Sequence, residues 1–204
     1  MVTTGDAPPF QRGETFYNGG PIDTTDLGGV NYEGMEWTFT DNDPRSTSQS
    51  VGSGRSVTAR ITRNVSGGNL KGGRLARFKA EDPYESRVDG YTFAVGDRPA
   101  GIIDEYLPSA GVPNNDLFWL VIDGPTQFTQ LSASAANLVI GDRLVPGAGT
   151  SATNDDAGRV AKQDVTGAAA TLANNIQNSV GYSGAVQAST VNAKFSGVIH
   201  RFGK

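Results

Sequence analysis

Apolar and polar residues alternate most regularly in residues 56–65, where Val57, Ala59 and Ile61 share one face and Thr58, Arg60 and Thr62 the other. That pattern predicts a half-buried strand. Glu36-Trp37-Thr38-Phe39-Thr40 alternates in the same way, and the turn-forming residues 41–44 end it. The strongest apolar run is 116–125, containing Leu117-Phe118-Trp119-Leu120-Val121-Ile122 and a Gly124-Pro125 stop. Its length and aromatic content predict a strand buried on both faces, with Trp119 and Phe118 in the core. Shorter strands are expected at 74–79, 91–95, 100–103, 138–140, 143–145, 158–163, 182–189 and 193–202. In the last of these, Phe195, Gly197 and Ile199 oppose Lys194, Ser196, Val198 and His200. Residues 168–176 hold the best helix formers, in a stretch short enough to be one helical turn or a loop. The sum is an all-β chain, an antiparallel β-barrel or sandwich of about nine to ten short strands with an extended N-terminal arm.

The triplet Gly-Asp-Arg occurs at 96–98 and again at 141–143, each time after a short apolar run and before a small-residue segment with Pro and Gly. Gly tolerates positive φ and Asp can bond its own backbone, so each triplet predicts a turn between strands.

Residues 1–55 differ from the rest. They are rich in Gly, Thr, Asp and Pro, with scattered aromatics. Residues 45–56, rich in Ser, Gly and Arg, read as a flexible loop. The predicted division is an extended arm and loop at 1–55 and a β-barrel or sandwich domain at 56–204. An arm with isolated aromatic anchors and little continuous apolar pattern is expected to lie on neighbouring subunits rather than along its own domain.

Composition narrows the function. Gly makes up 27 of 204 residues, near twice the usual share of about 7%, which suits strands and turns over long helices. The absence of Cys excludes disulfides and thiolate metal sites. A net charge of −4 gives no global basic footprint for nucleic acid. The first residues lack the basic and apolar regions of a signal peptide, and no apolar window reaches the roughly 18 residues a membrane span needs. The sequon Asn64-Val65-Ser66 reads as accidental.

Candidate chemistry is sparse. His200 is the single histidine and falls on the predicted last strand. Gly181-Tyr182-Ser183-Gly184-Ala185 lacks the final Gly of a nucleophile elbow, and a strand follows it where the elbow needs a helix. Asp41, Asp43, Asp155 and Asp156 read as turn formers, without the spacing of a calcium loop. Asp104 and Glu105 are adjacent and on a strand would point to opposite faces, a poor acid/base pair. Residues 67–73 hold glycines and a lysine without phosphate-loop spacing. Arg55, Arg60, Arg63, Lys71, Arg74, Arg77 and Lys79 cluster in sequence; a solvated strand face and a surface for an acidic partner are both open. The expectation is no catalytic residue, no cofactor, no metal and no small-molecule substrate.

Three stretches carry a family resemblance: Tyr91 to Ile102 with the first Gly-Asp-Arg, the aromatic strand Leu117 to Pro125, and Val139 to Val145 with the second. Their order, apolar-Gly-Asp, Trp-containing strand ending in Gly, then apolar-Gly-Asp, resembles small capsid decoration (cement) proteins of tailed bacteriophages. Residues 153–160 fit the continuation, and the resemblance covers about 88–190. It implies a virion protein on the outer surface of an assembled head, made in the host cytoplasm. It also implies a homotrimer that bridges major capsid protein subunits. On that reading the contact residues are expected among Phe10, Phe16, Tyr17 and Trp37 of the arm and the arginines Arg55, Arg60 and Arg63. A phage tail or baseplate protein with receptor-binding loops is the second reading. A hydrolase built on Ser183 and His200 is the third.

Overall fold

A computed structural model describes residues 7–16, 32–42, 53–82, 84–92, 99–129, 137–147, 157–163, 179–186 and 194–200. The predicted turn at 96–98, Tyr17, Asp43, Asp155, Asp156 and the 168–176 segment lie outside them. Eleven strands are described: β1 (Thr15–Phe16), β2 (Glu36–Thr40), β3 (Ser56–Asn64), β4 (Leu75–Phe78), β5 (Arg87–Tyr91), β6 (Pro99–Ile103), β7 (Leu117–Thr129), β8 (Arg143–Pro146), β9 (Val160–Lys162), β10 (Gly181–Ser183) and β11 (Lys194–Ile199). The fold is all-β.

The pairings run β2-β3-β5-β4-β6-β7-β11-β10-β8-β9. Because β3 also pairs with β7, strands β3, β5, β4, β6 and β7 close a ring. One pairing departs from the antiparallel expectation: Arg63↔Arg87 and Asn64↔Val88 join β3 and β5 in parallel. The chain reverses once at β4 and again into β5, so β5 runs in the direction of β3.

β7 holds the two parts of the sheet together. Its first half, to Asp123, pairs with β3, while Gly124 to Thr129 pair with β11. The Gly124-Pro125 pair is therefore not the end of the strand, as the sequence suggested, but its bend. Gly124 adopts φ +104°, and a Cβ there would sit 2.6 Å from the Ser56 carbonyl oxygen. Only glycine lets β7 turn against β3 at that point and continue into the second part.

β7 is buried on both faces, as its apolar run predicts. Phe118, Leu120 and Ile122 pack with Ala76, Val88 and Ala100 from the other ring strands. Val121 faces outward to meet Leu75, Ile102, Phe128, Leu144, Val160 and Phe195, the layer between ring and second part. Leu117 and Trp119 face outward as well, against Ala59 and Ile61 of β3. In β3, Val57, Ala59 and Ile61 are fully buried, as their alternation predicts.

The second Gly-Asp-Arg forms the expected turn. Gly141 has φ +88°, and Asp142 Oδ2 accepts the Val139 N–H at 2.8 Å. Residues 138–140 do not form a strand; they lead into this turn, which feeds β8. Asn64 of the sequon is fully buried, its Nδ2 donating to the carbonyls of Gly68, Val112 and Pro113. Its amide ties two loops together and is closed to glycosylation.

Candidate partner-binding surface

The described parts of residues 1–55 cover one outer face of the chain's own body. β1 pairs with the start of β7, Thr15 opposite Phe118 and Phe16 opposite Leu117. β2 pairs with β3 from Glu36↔Arg60 to Thr40↔Ser56. Between them, Phe10 packs 5.1 Å from the Trp119 ring, and Phe39 meets the same indole edge-on at 4.9 Å. Tyr32, Met35 and Trp37 pack against this cluster. The physical cause lies in β3 and β7: each carries apolar residues on the outward face, and that face needs a cover to leave water.

The cover is pinned by a buried charge cluster. The Arg12 guanidinium donates through Nη2 to Asp104 Oδ1 at 3.0 Å and Glu105 Oε2 at 2.9 Å, and Nη1 lies 3.7 Å from Asp41 Oδ1. The Gly13 N–H donates to Asp104 Oδ2. The Tyr106 hydroxyl donates to Asp41 Oδ1 at 3.0 Å, and the Thr126 hydroxyl to Glu105 Oε2 at 3.0 Å. The guanidinium also lies 4.7 Å from the Tyr106 ring centroid. Asp104 and Glu105 thus reach one cation, contrary to the strand-based expectation. They follow the end of β6 and sit in a turn, where strict alternation no longer holds.

One buried cation among three buried carboxylates leaves an excess of negative charge. Burial, reinforced by Asp104, pushes the Glu105 carboxyl up to about 7 against the pull of Arg12. Burial and the nearby Glu105 and Asp41 also raise the Tyr106 hydroxyl. Arg12 is held more firmly protonated than usual, because Asp104 and Glu105 outweigh the cost of its burial. Among the described residues no group of three or more His, Cys, Asp or Glu side chains converges as a metal-ligand set. In this cluster the position a cation would take belongs to Arg12.

The expected contact residues separate into three groups. Phe10 and Arg63 are buried, 8% and 4% exposed, and face inward. Arg63 Nε donates to Glu33 Oε1, and its Nη1 to the Asn115 carbonyl at 2.7 Å. Phe16, Trp37 and Arg60 are half-buried. Arg60 donates through Nε and Nη2 to Glu36 Oε1 at 3.2 and 2.7 Å and through Nη1 to the Glu85 carbonyl at 3.2 Å. Arg55 alone is exposed. The arginines of β3 and β4 therefore do not form a single basic face: Arg77 Nε donates to Asp89 at 3.0 Å, and Arg60 and Arg63 are engaged as above.

Ser183 and His200 are not poised for nucleophilic chemistry. The Ser183 hydroxyl donates to the Ala185 carbonyl at 2.7 Å and accepts the Ala185 N–H at 3.3 Å, the latter an ST-type turn. Ser183 is opposite Gly197, three residues from His200, or about 10 Å along an extended strand. The His200 ring instead meets Tyr182 edge-on at 5.0 Å.

Among the described residues Tyr84 is the most exposed large hydrophobic, at 82%, and the exposed aliphatic side chains lie in the second part of the sheet. Val139 and Ile140, in the turn before β8, are 47% and 70% exposed, and Val186, just past β10, is 69% exposed. The turn is rigid: the Gly141 N–H donates to the Ser183 carbonyl at 2.8 Å, and the Ser183 N–H returns to the Asp142 carbonyl at 2.9 Å. Lys162 Nζ lies 2.9 Å from Asp142 Oδ2. Against the effect of its slight burial, the Val139 N–H and Lys162 hold the Asp142 carboxyl below the usual carboxylate range. The sequence marks this segment as a turn but not as an exposed apolar tip; the signal is two large apolar residues directly before a Gly-Asp turn.

No protein-family model matches the chain, and no curated protein matches it. Among solved structures it is similar to the head fiber gp8.5 N base of bacteriophage phi29, with 16% identity over 72% of this chain and 98% of that one and a TM-score of 0.40. It is also similar to a chain of the capsid of Myoviridae phage XM1, with 14% identity over 72% of this chain and 84% of that one and a TM-score of 0.44. Likeness at this level says nothing of what this chain does.

Proposed function

We propose that the chain is a non-enzymatic virion structural protein that decorates the outer surface of an assembled phage head and bridges major capsid protein subunits. The observation that carries this reading is the exposed tip of Val139 and Ile140, held by the Gly-Asp turn against β10. Large apolar side chains presented on a fixed turn suit docking into a partner's pocket with little ordering cost. This tip belongs to the second apolar-Gly-Asp stretch of the cement-protein resemblance. The Trp-containing strand of the same resemblance is β7, the strand that joins the two parts of the sheet. A homotrimer would multiply one weak tip contact into firm attachment through effective concentration.

Residues 7–16 and 32–42 cover the core, and Phe10 and Arg63 are buried. On this reading the contacts are the tip and Arg55 rather than those two. The test is light scattering and sedimentation of the purified chain with and without emptied heads of its phage. A trimer that co-sediments saturably with shells supports the proposal. A chain that stays in the supernatant at every concentration overturns it.

A further inference from the structure

We infer that residues 7–16 form a pH-operated strap: the buried cluster around Arg12 clasps them to the sheet and lets them go, with the rest of the fold intact, as pH rises. Among the described residues this stretch is held at three places. β1 is two residues long and pairs with Leu117 and Phe118. The ring and the carbonyl of Phe10 meet Trp119. Arg12 and Gly13 enter the charge cluster. A ladder of two residues is too short to hold a segment by itself, so the cluster decides whether the strap stays down.

The groups around the Glu105 carboxyl come from every element packed there: Arg12 from the strap, Asp104 and Tyr106 from the turn after β6, Asp41 from the residue after β2 and Thr126 from β7. The loop before β4 meets the same turn at Gly72, which brings no side chain. Arg12 is the single cation among them. Its Nη2 makes both carboxylate bonds, while Nε and Nη1 are buried with no hydrogen-bond acceptor among the described residues. With Glu105 protonated, Arg12 faces two buried carboxylates; without that proton it faces three, with water shut out. Lifting the strap lets water reach all of them. The closed form keeps the Glu105 proton up to about 7, whereas a hydrated carboxyl gives it up near 4.5, so opening becomes easier as pH rises between those values. Opening bares the Trp119 side of the outward face, which Phe10 and Phe16 otherwise cover. The β3–β7 and β7–β11 ladders need none of these contacts.

The test is amide hydrogen exchange of the ¹⁵N-labelled full chain, followed by NMR at pH 6, 7 and 8, with each rate taken relative to that of the unstructured amide. Gly13, whose N–H donates to Asp104, and the β1 amides should exchange ahead of the β7–β11 ladder at every pH. Their protection should fall roughly tenfold from pH 6 to pH 8. Glu105→Gln should keep that protection level across the range, because a neutral amide has no proton to lose. The parent-chain comparison stands whether or not the variant folds. The inference is overturned if the strap amides share the protection of the ladder amides at each pH, which marks a single global opening. Constant strap protection in the parent chain overturns it as well, as does a folded Glu105→Gln chain with the parent's pH dependence.

Discussion

The indole N–H of Trp119 donates to the main-chain carbonyl of Phe10 at 3.0 Å, across 109 residues of sequence. Trp119 is fully buried and its N–H must find an acceptor. The acceptor comes from the N-terminal segment, so the residue at the centre of the sheet also fixes its cover. Replacing Trp119 by Phe keeps most of the ring and leaves the Phe10 carbonyl without this donor. The expected cost is about 1–3 kcal/mol in urea unfolding, with faster hydrogen exchange in β1. Unchanged stability and exchange would show that the indole bond does not hold the cover.

Glu105 makes stability depend on pH. Its carboxyl sits near 7 in the folded chain against 4.5 for the ordinary group, because it is buried beside Asp104. The folded state therefore holds a proton that the unfolded state has released between those values. This contribution is fully present below about pH 4.5 and is lost as pH rises through 7, on the order of 3 kcal/mol in all. Glu105→Gln should flatten urea midpoints between pH 5 and 8 and stabilise the chain at pH 8. A variant with the parent's slope would contradict this.

Arg12 carries the only cation of its cluster, beside Asp41, Asp104 and Glu105. Arg12→Met removes it and leaves buried carboxylates uncompensated, an expected loss of roughly 3–5 kcal/mol. The loss should be larger at pH 8 than at pH 5, since Glu105 can take up a proton at the lower value. Thermal unfolding at the two values checks both the size and the direction.

Gly124 is the hinge of β7. Gly124→Ala sets a Cβ 2.6 Å from the Ser56 carbonyl at φ +104°, so strain and a clash fall at the same residue. A destabilisation of at least about 1–3 kcal/mol is expected, with exchange of the β11 amides rising before those of β3. Equal protection in both strands would mean that the two parts are not joined through this bend.

β7 is legible in the sequence because six successive apolar residues, two of them aromatic, favour a strand covered on both faces over a helix. The sequence does not say what covers them. Phe10, Arg12 and Phe16 are too widely spaced to show periodicity, and their partners in β7 and just after β6 lie more than ninety positions away. The need for a cover was nonetheless implicit in Trp119, whose N–H could not stay unsatisfied in a core. Strand alternation does not place Asp104 and Glu105, because it ends at the last residue of β6. Gly124-Pro125 reads as a stop because Pro usually ends a central strand; here the ladder changes partner at that point, from β3 to β11.

With Phe10 in the core, a deletion of residues 1–40 would expose Ile61 and Trp119 and so would disturb folding together with binding. A substitution at the open tip is cleaner. Ile140→Ser, at a side chain 70% exposed, should leave stability within about 0.5 kcal/mol of the parent while lowering occupancy on heads. Equal occupancy would remove the tip from the interface.

The most direct measurement is cryo-electron microscopy of emptied heads incubated with the purified full chain. The account predicts added density on the outer shell, straddling boundaries between major capsid subunits, with the 139–141 turn at the contact. Heads that remain bare, with the chain bound instead to isolated tails or baseplates, would contradict it.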